Sequence, residues 1–203
     1  MKKSYSRLNL LSEQLSGQRE PRGFFKHFFT HRRYITVSIP YYDYLRGKVF
    51  IDDLRNNFQD QVPFNFDFVV LLYLLYDDFL NQIKRGAKNK DIANYLIAGY
   101  NRHFINQKKK KRVMKQLTKH VFEFDELEEE VQEEEEKVAY LEIRLNESEI
   151  LRAEVLIHDL ESYLSDYELT IEKLICIVYL DFIDQIKNEG NSLSVQKSIL
   201  AHL

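Results

Sequence analysis

Hydrophobic and polar residues alternate in two short stretches of the chain. Residues 34–39 read YITVSI and residues 140–145 read YLEIRL, so every second side chain is isoleucine, valine or leucine. A period of two places the apolar side chains on one face of a β-strand and the polar ones on the other. Each stretch therefore predicts a strand with one buried face and one solvent-exposed face. Pro40 and Asn146 are expected to end the two strands.

After each strand the spacing of apolar residues changes to that of an α-helix. One helical stripe is apolar in each place: Gly47, Ile51, Leu54 and Phe58 in the first, and Ala153, Ile157, Leu160 and Leu164 in the second. A loop and a second helix follow, with Asp67 and Thr170 placed to cap the second helices and Asn146 or Ser148 to cap the helix after the second strand. The second helices are apolar over more than half of their circumference. We therefore expect them at the centre of the core.

The two strand-helix-helix segments resemble each other in sequence. Residues 34–60 align without a gap to residues 140–166, 106 positions later, with eight identities in 27 positions. The stretch YDDFLNQIK at 76–84 returns as YLDFIDQIK at 179–187, 103 positions later, with six identities in nine. We interpret the chain as a diverged tandem duplication. The three extra residues of the first copy are expected in the loop around 61–65, where an insertion costs least.

Each copy contains one predicted strand, whose backbone donors and acceptors need a partner. The sequence offers no other strand of comparable quality, so we expect the two strands to pair with each other in an antiparallel ribbon. The helices would then cover the apolar face of the ribbon. The predicted fold is mainly α with a small two-stranded antiparallel ribbon, in which tandem duplicated strand-helix-helix units form a pseudo-twofold single-chain dimer with extra helices.

This arrangement resembles the ribbon-helix-helix family of DNA-binding proteins, the Arc, MetJ and CopG type. The resemblance covers residues 34–84 and 140–187, about half of the chain. Family members are usually homodimers, and this chain looks like a fusion of two units, as in some conjugative-plasmid accessory proteins. The resemblance implies a sequence-specific double-stranded DNA-binding protein, a transcriptional repressor or plasmid-type accessory factor, that reads the major groove with its ribbon.

The resemblance also assigns contacts by position. The residues expected to touch base edges are Tyr34, Thr36, Ser38, Tyr140, Glu142 and Arg144. The residues expected to contact phosphates are Arg32, Arg33, Thr170, Lys108, Lys109, Lys110, Lys111 and Arg112. Backbone amides near Thr170 and Asp67, at the starts of the second helices, would each hold a phosphate. Arg144 could bind a guanine, and Glu142 could accept a hydrogen bond from a cytosine amine.

The charge of the chain is divided between its two parts. Residues 1–120 contain 23 Lys+Arg and 10 Asp+Glu, whereas residues 121–203 contain 6 and 22. The basic part suits a polyanion such as duplex DNA. The acidic part, which begins with the run DELEEEVQEEEEK at 125–137, suits a basic protein partner. An alternative function is therefore a protein-binding regulator on a degenerate ribbon-helix-helix scaffold, whose acidic half engages a basic partner.

These patterns divide the chain into four regions. Residues 1–33 are a basic and aromatic N-terminal extension, and residues 34–106 are the first strand-helix-helix unit with an added helix. Residues 107–139 are a charged connection, first basic and then acidic. Residues 140–203 are the second strand-helix-helix unit with an added helix. The predicted pseudo-dimer is intramolecular, and it is compatible with further assembly of several molecules of the protein.

Other chemistry is weakly represented. The sequence shows no phosphate-binding loop, nucleophile elbow or paired-cysteine motif, so we expect neither an enzyme nor a cofactor. His27 and His31 have helical spacing but no third ligand nearby, so no metal site is predicted. Cys176 falls in an apolar helical run, which predicts a buried thiol. The longest apolar run, at 68–76, is far shorter than the roughly 20 residues of a spanning helix, so we expect a cytoplasmic protein that does not bind membranes.

Overall fold

The computed structural model of the chain describes residues 4–16, 32–105, 110–118, 121–128, 137–201 and 203. Over these residues the protein is mainly helical and contains two antiparallel two-stranded sheets. The strands are β1 (Arg32–Pro40), β2 (Lys110–Thr118), β3 (Val121–Glu128) and β4 (Val138–Asn146). The helices are α1 (Leu10–Leu15), α2 (Tyr41–Asn57), α3 (Phe68–Lys84), α4 (Asn89–Tyr100), α5 (Glu147–Asp159), α6 (Ile171–Glu189) and α7 (Leu193–Leu200). A π-helical turn, Asn101–Ile105, continues α4.

Strands β1 and β4 form an antiparallel ribbon, which confirms the predicted pairing. The pairing runs from Arg32 opposite Asn146 to Pro40 opposite Val138. Side chains of the inner face are buried: Ile35, Val37, Ile39, Ile143 and Leu145. Because successive side chains of a strand point to opposite faces, the polar residues between them lie on the outer face.

Helices α3 and α6 lie beneath the ribbon and contact each other, as predicted for the centre of the core. Helix α6 packs against β1 and α3 packs against β4, so each helix supports the strand of the other segment. Cys176 on α6 is buried, as its apolar surroundings predict, and its Sγ lies 3.4 Å from the backbone oxygen of Ser38. In the described part of the chain, no helix has the length and apolar character that a membrane crossing requires.

The helix starts have the caps that the sequence predicts. Asp67 Oδ1 accepts a hydrogen bond from the amide of Val70 at 2.9 Å, and Thr170 Oγ1 accepts one from the amide of Lys173 at 3.4 Å. At the start of α5, the side chain of Glu149 reaches back to Asn146, whose backbone amide donates to Oε2 at 3.0 Å. These bonds satisfy amides that have no partner within the helix.

The charged connection contains a second antiparallel strand pair, which the sequence patterns did not predict. Strands β2 and β3 pair with each other, with Lys110 opposite Glu128 and Arg112 opposite Glu126. The expectation that the chain has no further strands of comparable quality was therefore wrong. These strands lack a continuous apolar alternation, and residues of opposite charge at paired positions also favour an antiparallel pair. Lys108 and Lys109 lie outside the described residues.

The N-terminal extension and the two added helices contribute to the core. Helix α1 contacts α5, and both Tyr5 and Leu10 are buried. Helix α4 follows the first segment and packs on α6, while α7 follows the second and buries Val195 and Ile199. The part of the extension at 4–16 is thus docked on the second segment instead of standing apart from it.

Candidate nucleic-acid interface

The outer face of the β1–β4 ribbon presents the six side chains predicted to touch bases. The pairs across the ribbon are Tyr34 with Arg144, Thr36 with Glu142, and Ser38 with Tyr140. Five of the six are exposed, Tyr34 at 61% and Tyr140 at 74%, while Thr36 is half-buried. The structure therefore brings these residues together on one solvent-facing surface of the ribbon.

The two arginines at the start of β1 differ in their surroundings. Arg32 alternates with Tyr34 along the strand and therefore shares the outer face, where it is exposed. Arg33 has the opposite parity, and its Nε donates to Glu147 Oε1 at 2.7 Å. An arginine held by a carboxylate has less to offer a phosphate. Arg32 is thus the better placed of the two for a phosphate contact.

The start of α6 is covered by the N-terminal segment of the chain. The amide of Ile171 donates to the carbonyl of Tyr5 at 2.9 Å, and the carboxylate of Glu172 accepts from the amide of Arg7 at 3.0 Å. Both contacts lie in the first turn, next to Thr170. This end of the helix therefore offers a phosphate fewer free donors than the family resemblance implies, and it carries an additional negative charge.

The start of α3 has a different environment. Asp67 caps the helix with its own carboxylate, and Arg55 Nη2 donates to the carbonyl of Phe66 at 2.7 Å. Lys48 lies beside the ring of Tyr44, with Nζ 5.8 Å from the ring centroid. The Asp67 charge disfavours a phosphate here, whereas the two cations favour an anion. Lys110, Lys111 and Arg112 fall in β2.

Two tyrosines form matching hydrogen bonds that the sequence analysis did not identify. Tyr76 on α3 donates to the carbonyl of Glu149 at 3.0 Å, and Tyr179 on α6 donates to the carbonyl of Asp43 at 2.6 Å. Both rings are almost fully buried, and burial raises the pKa of each phenol above its ordinary value. These tyrosines open the repeated stretches at 76–84 and 179–187. The repetition of these stretches was the sequence signal that could have identified the two tyrosines.

Glu154 is a second buried group that the sequence did not reveal. Its carboxylate is 0% exposed and accepts hydrogen bonds from the amides of Leu10 at 3.1 Å and Leu11 at 2.5 Å. The hydroxyl of Ser6 also donates to it. Glu154 therefore caps the start of α1 from a neighbouring helix. A single charged residue in an amphipathic helix gives no sequence signal of such a contact.

One group of side chains has ligand types that suit a metal ion. His103, Asp181 and Asp184 place one ligand atom each within 4.8 Å of one another. However, Arg102 Nη1 lies 2.8 Å from Asp181 Oδ1, and Lys187 Nζ lies 3.2 Å from Asp184 Oδ1. The carboxylates are thus already paired with cations. We assign the group a structural role that joins the π-helical turn to α6; His27 and His31 lie outside the described residues.

No family model, no curated protein and no solved structure matches the chain.

Proposed function

We propose that this protein is a non-enzymatic, sequence-specific double-stranded DNA-binding protein that inserts the β1–β4 ribbon into the major groove. The observation that carries the proposal is the outer face of the ribbon. It combines polar and aromatic side chains on a rigid support, because the opposite face of the ribbon is packed into the core. Base readout needs side chains held by such a support, since their hydrogen bonds must match the base edges.

The ribbon residues have the donor and acceptor groups that base recognition requires. Arg144 can donate two hydrogen bonds to a guanine, and Glu142 can accept one from a cytosine amine. Thr36 and Ser38 can donate or accept at either kind of base pair. Arg32 at one end of the face supplies positive charge for phosphates. The basic residues at 108–112 are a weaker source of such charge, because Lys110 and Arg112 stand opposite Glu128 and Glu126 in the β2–β3 pair.

The matching tyrosine bonds support the view that the chain is a fused pair of equivalent units. Tyr76 and Tyr179 are 103 positions apart, and their acceptors, Glu149 and Asp43, are 106 positions apart, the two offsets of the sequence repeat. Each bond links the second helix of one unit to the first helix of the other. Such reciprocal contacts are the kind that a twofold axis generates in a homodimer. We therefore propose a tandem duplication that folds as a pseudo-twofold single-chain dimer.

The experiment begins with selection of a preferred site from random duplex DNA. The dissociation constants for that site and for a scrambled duplex are then measured at two salt concentrations. We expect Arg144→Ala, and the double change Thr36→Ala with Ser38→Ala, to weaken binding to the preferred site by about 1–3 kcal/mol and to leave the scrambled duplex nearly unchanged. Arg85→Ala, which removes an exposed arginine outside the ribbon, serves as the matched control.

Two outcomes count against the proposal. Equal losses on both duplexes would show that the ribbon face does not read bases. No measurable binding of any duplex at low salt would remove DNA binding altogether and favour the protein-binding alternative.

A further inference from the structure

The N-terminal segment of the chain lies in a groove between α5 and the start of α6. Tyr5 supplies a backbone carbonyl to the amide of Ile171 at 2.9 Å, and its hydroxyl lies 2.8 Å from His158 Nδ1 and 3.3 Å from Glu161 Oε2. The next residue, Ser6, donates its hydroxyl to the buried carboxylate of Glu154. The groove therefore binds a short bent segment through one tyrosine and the residue after it.

The repeat places a counterpart of this groove in the first segment. The residues that hold the N-terminal segment are Glu154, His158, Glu161, Ile171 and Glu172. At offsets of 106 on the first helix and 103 on the second, their counterparts are Lys48, Asp52, Arg55, Phe68 and Val69. All five counterparts line one open cavity of about 300 Å³ between α2 and the start of α3. The two grooves thus correspond position by position.

The open groove is less negative than the filled one, because Lys48 and Arg55 line it together with the carboxylates of Asp52 and Asp67. Lys48 replaces Glu154, so a cation stands where the filled groove presents a carboxylate. Arg55 replaces Glu161 and Asp52 replaces His158, so the tyrosine position still has one donor and one acceptor beside it. A second copy of the N-terminal segment does not suit this groove, because the first amides of α1 would face the ammonium group of Lys48 instead of a carboxylate.

We propose that the open groove binds a short segment of a partner protein in which a tyrosine is followed by an acidic residue. The tyrosine hydroxyl would lie between Asp52 and Arg55, and its backbone carbonyl would face the amide of Phe68. The acidic side chain would pair with Lys48, in the place where Ser6 meets Glu154. This recognition uses residues outside the ribbon and does not depend on DNA binding.

Two labelled peptides test the proposal on the full chain. One copies residues 4–9, and the other carries the single change Ser6→Glu. By fluorescence anisotropy, we expect the Ser6→Glu peptide to bind at least about tenfold more tightly than the copy, because only its carboxylate can pair with Lys48. The Ser6→Glu peptide cannot gain by entering the filled groove, since its carboxylate would face Glu154 there.

Charge reversal in the groove gives the decisive comparison. We expect Lys48→Glu to weaken the Ser6→Glu peptide by at least about tenfold and to bring its affinity down to that of the copy or below. Lys90→Glu, which reverses an exposed lysine on α4, should change neither affinity. Circular dichroism and unfolding curves verify that both variants fold. Equal binding of the two peptides to the unmodified chain, or an unchanged preference in Lys48→Glu, would overturn the proposal.

Discussion

Gly47 lies at a close approach between the two segments, which makes a substitution there informative. Gly47 lies on the buried face of α2, where a side chain would meet α6 and α3. A Cβ atom on Gly47 would overlap with the hydroxyl of Tyr179 and would come within 2.6 Å of Phe68 Cε2. Movement of Tyr179 away from α2 would break a hydrogen bond, because its hydroxyl donates to the carbonyl of Asp43 at 2.6 Å. We therefore expect Gly47→Ala to destabilise the protein.

The expected magnitude follows from three opposing effects. Alanine is favoured over glycine in a helix by about 1 kcal/mol. An extra methyl group in a packed core costs about 1–3 kcal/mol, and loss of the Tyr179 hydrogen bond would add about 1 kcal/mol. The net effect of Gly47→Ala is thus a loss of about 1–3 kcal/mol in the free energy of unfolding. Tyr179→Phe removes the hydroxyl and should reduce the additional cost of the alanine, although the contact with Phe68 remains.

Urea unfolding followed by circular dichroism measures these free energies. The matched control is Ala153→Gly at the counterpart position of α5, which should lose about 1 kcal/mol from helix propensity and some packing. The Gly47→Ala and Tyr179→Phe changes are then combined to obtain their coupling energy. An unchanged or increased stability of Gly47→Ala would refute the close approach of Tyr179 to α2.

Three further predictions concern Tyr179, Glu154 and Asp181. Burial and the nearby Asp43 charge raise the pKa of Tyr179 above its ordinary value of 10.0. The stability that the neutral phenol provides is therefore complete below about pH 10 and is lost as the pH rises above that value. Urea titrations at about pH 8 and about pH 11 should show a smaller loss in Tyr179→Phe than in the unmodified chain, and equal losses would contradict this. Glu154→Gln should lower the free energy of unfolding by about 1–3 kcal/mol and accelerate amide hydrogen exchange in α1, because the side-chain amide of glutamine cannot accept from Ser6, Leu10 and Leu11 together. Unchanged exchange rates of the α1 amides would exclude this capping role. Burial alone would raise the pKa of Asp181, but hydrogen bonds from His103 and Tyr95 and the neighbouring charges lower it below 3.8. The stability that the Asp181 carboxylate provides is therefore present above about pH 3.8 and is lost as the pH falls through the lowered pKa. The free energy of unfolding of Asp181→Asn should depend less on acid pH than that of the unmodified chain, and an unchanged dependence would count against the pairing of Asp181 with His103 and Arg102.

The main elements of the fold were predictable because their signals are local. The alternation at 34–39 and 140–145 placed the two strands, and the unpaired backbone of each required the other as a partner. Asp67 and Thr170 marked the starts of α3 and α6 because capping depends only on residues within one turn. The pairing of β2 with β3 was missed because neither strand alternates apolar and polar residues along its whole length. Opposite charges at paired positions become visible only when the register is known.

The positions of the candidate site residues on the ribbon were predictable from the sequence, but their neighbours in space were not. Strand alternation alone placed Tyr34, Ser38 and Arg144 on the outer face of the ribbon, since parity along a strand is a property of the sequence. The tertiary structure decided what lies beside each residue. Arg33 is held by Glu147, and the start of α6 is covered by Tyr5, although 114 and 166 positions separate the partners. Contacts over such distances depend on how the helices pack around a common core, and the pattern of one segment carries no information about which distant side chain it will meet.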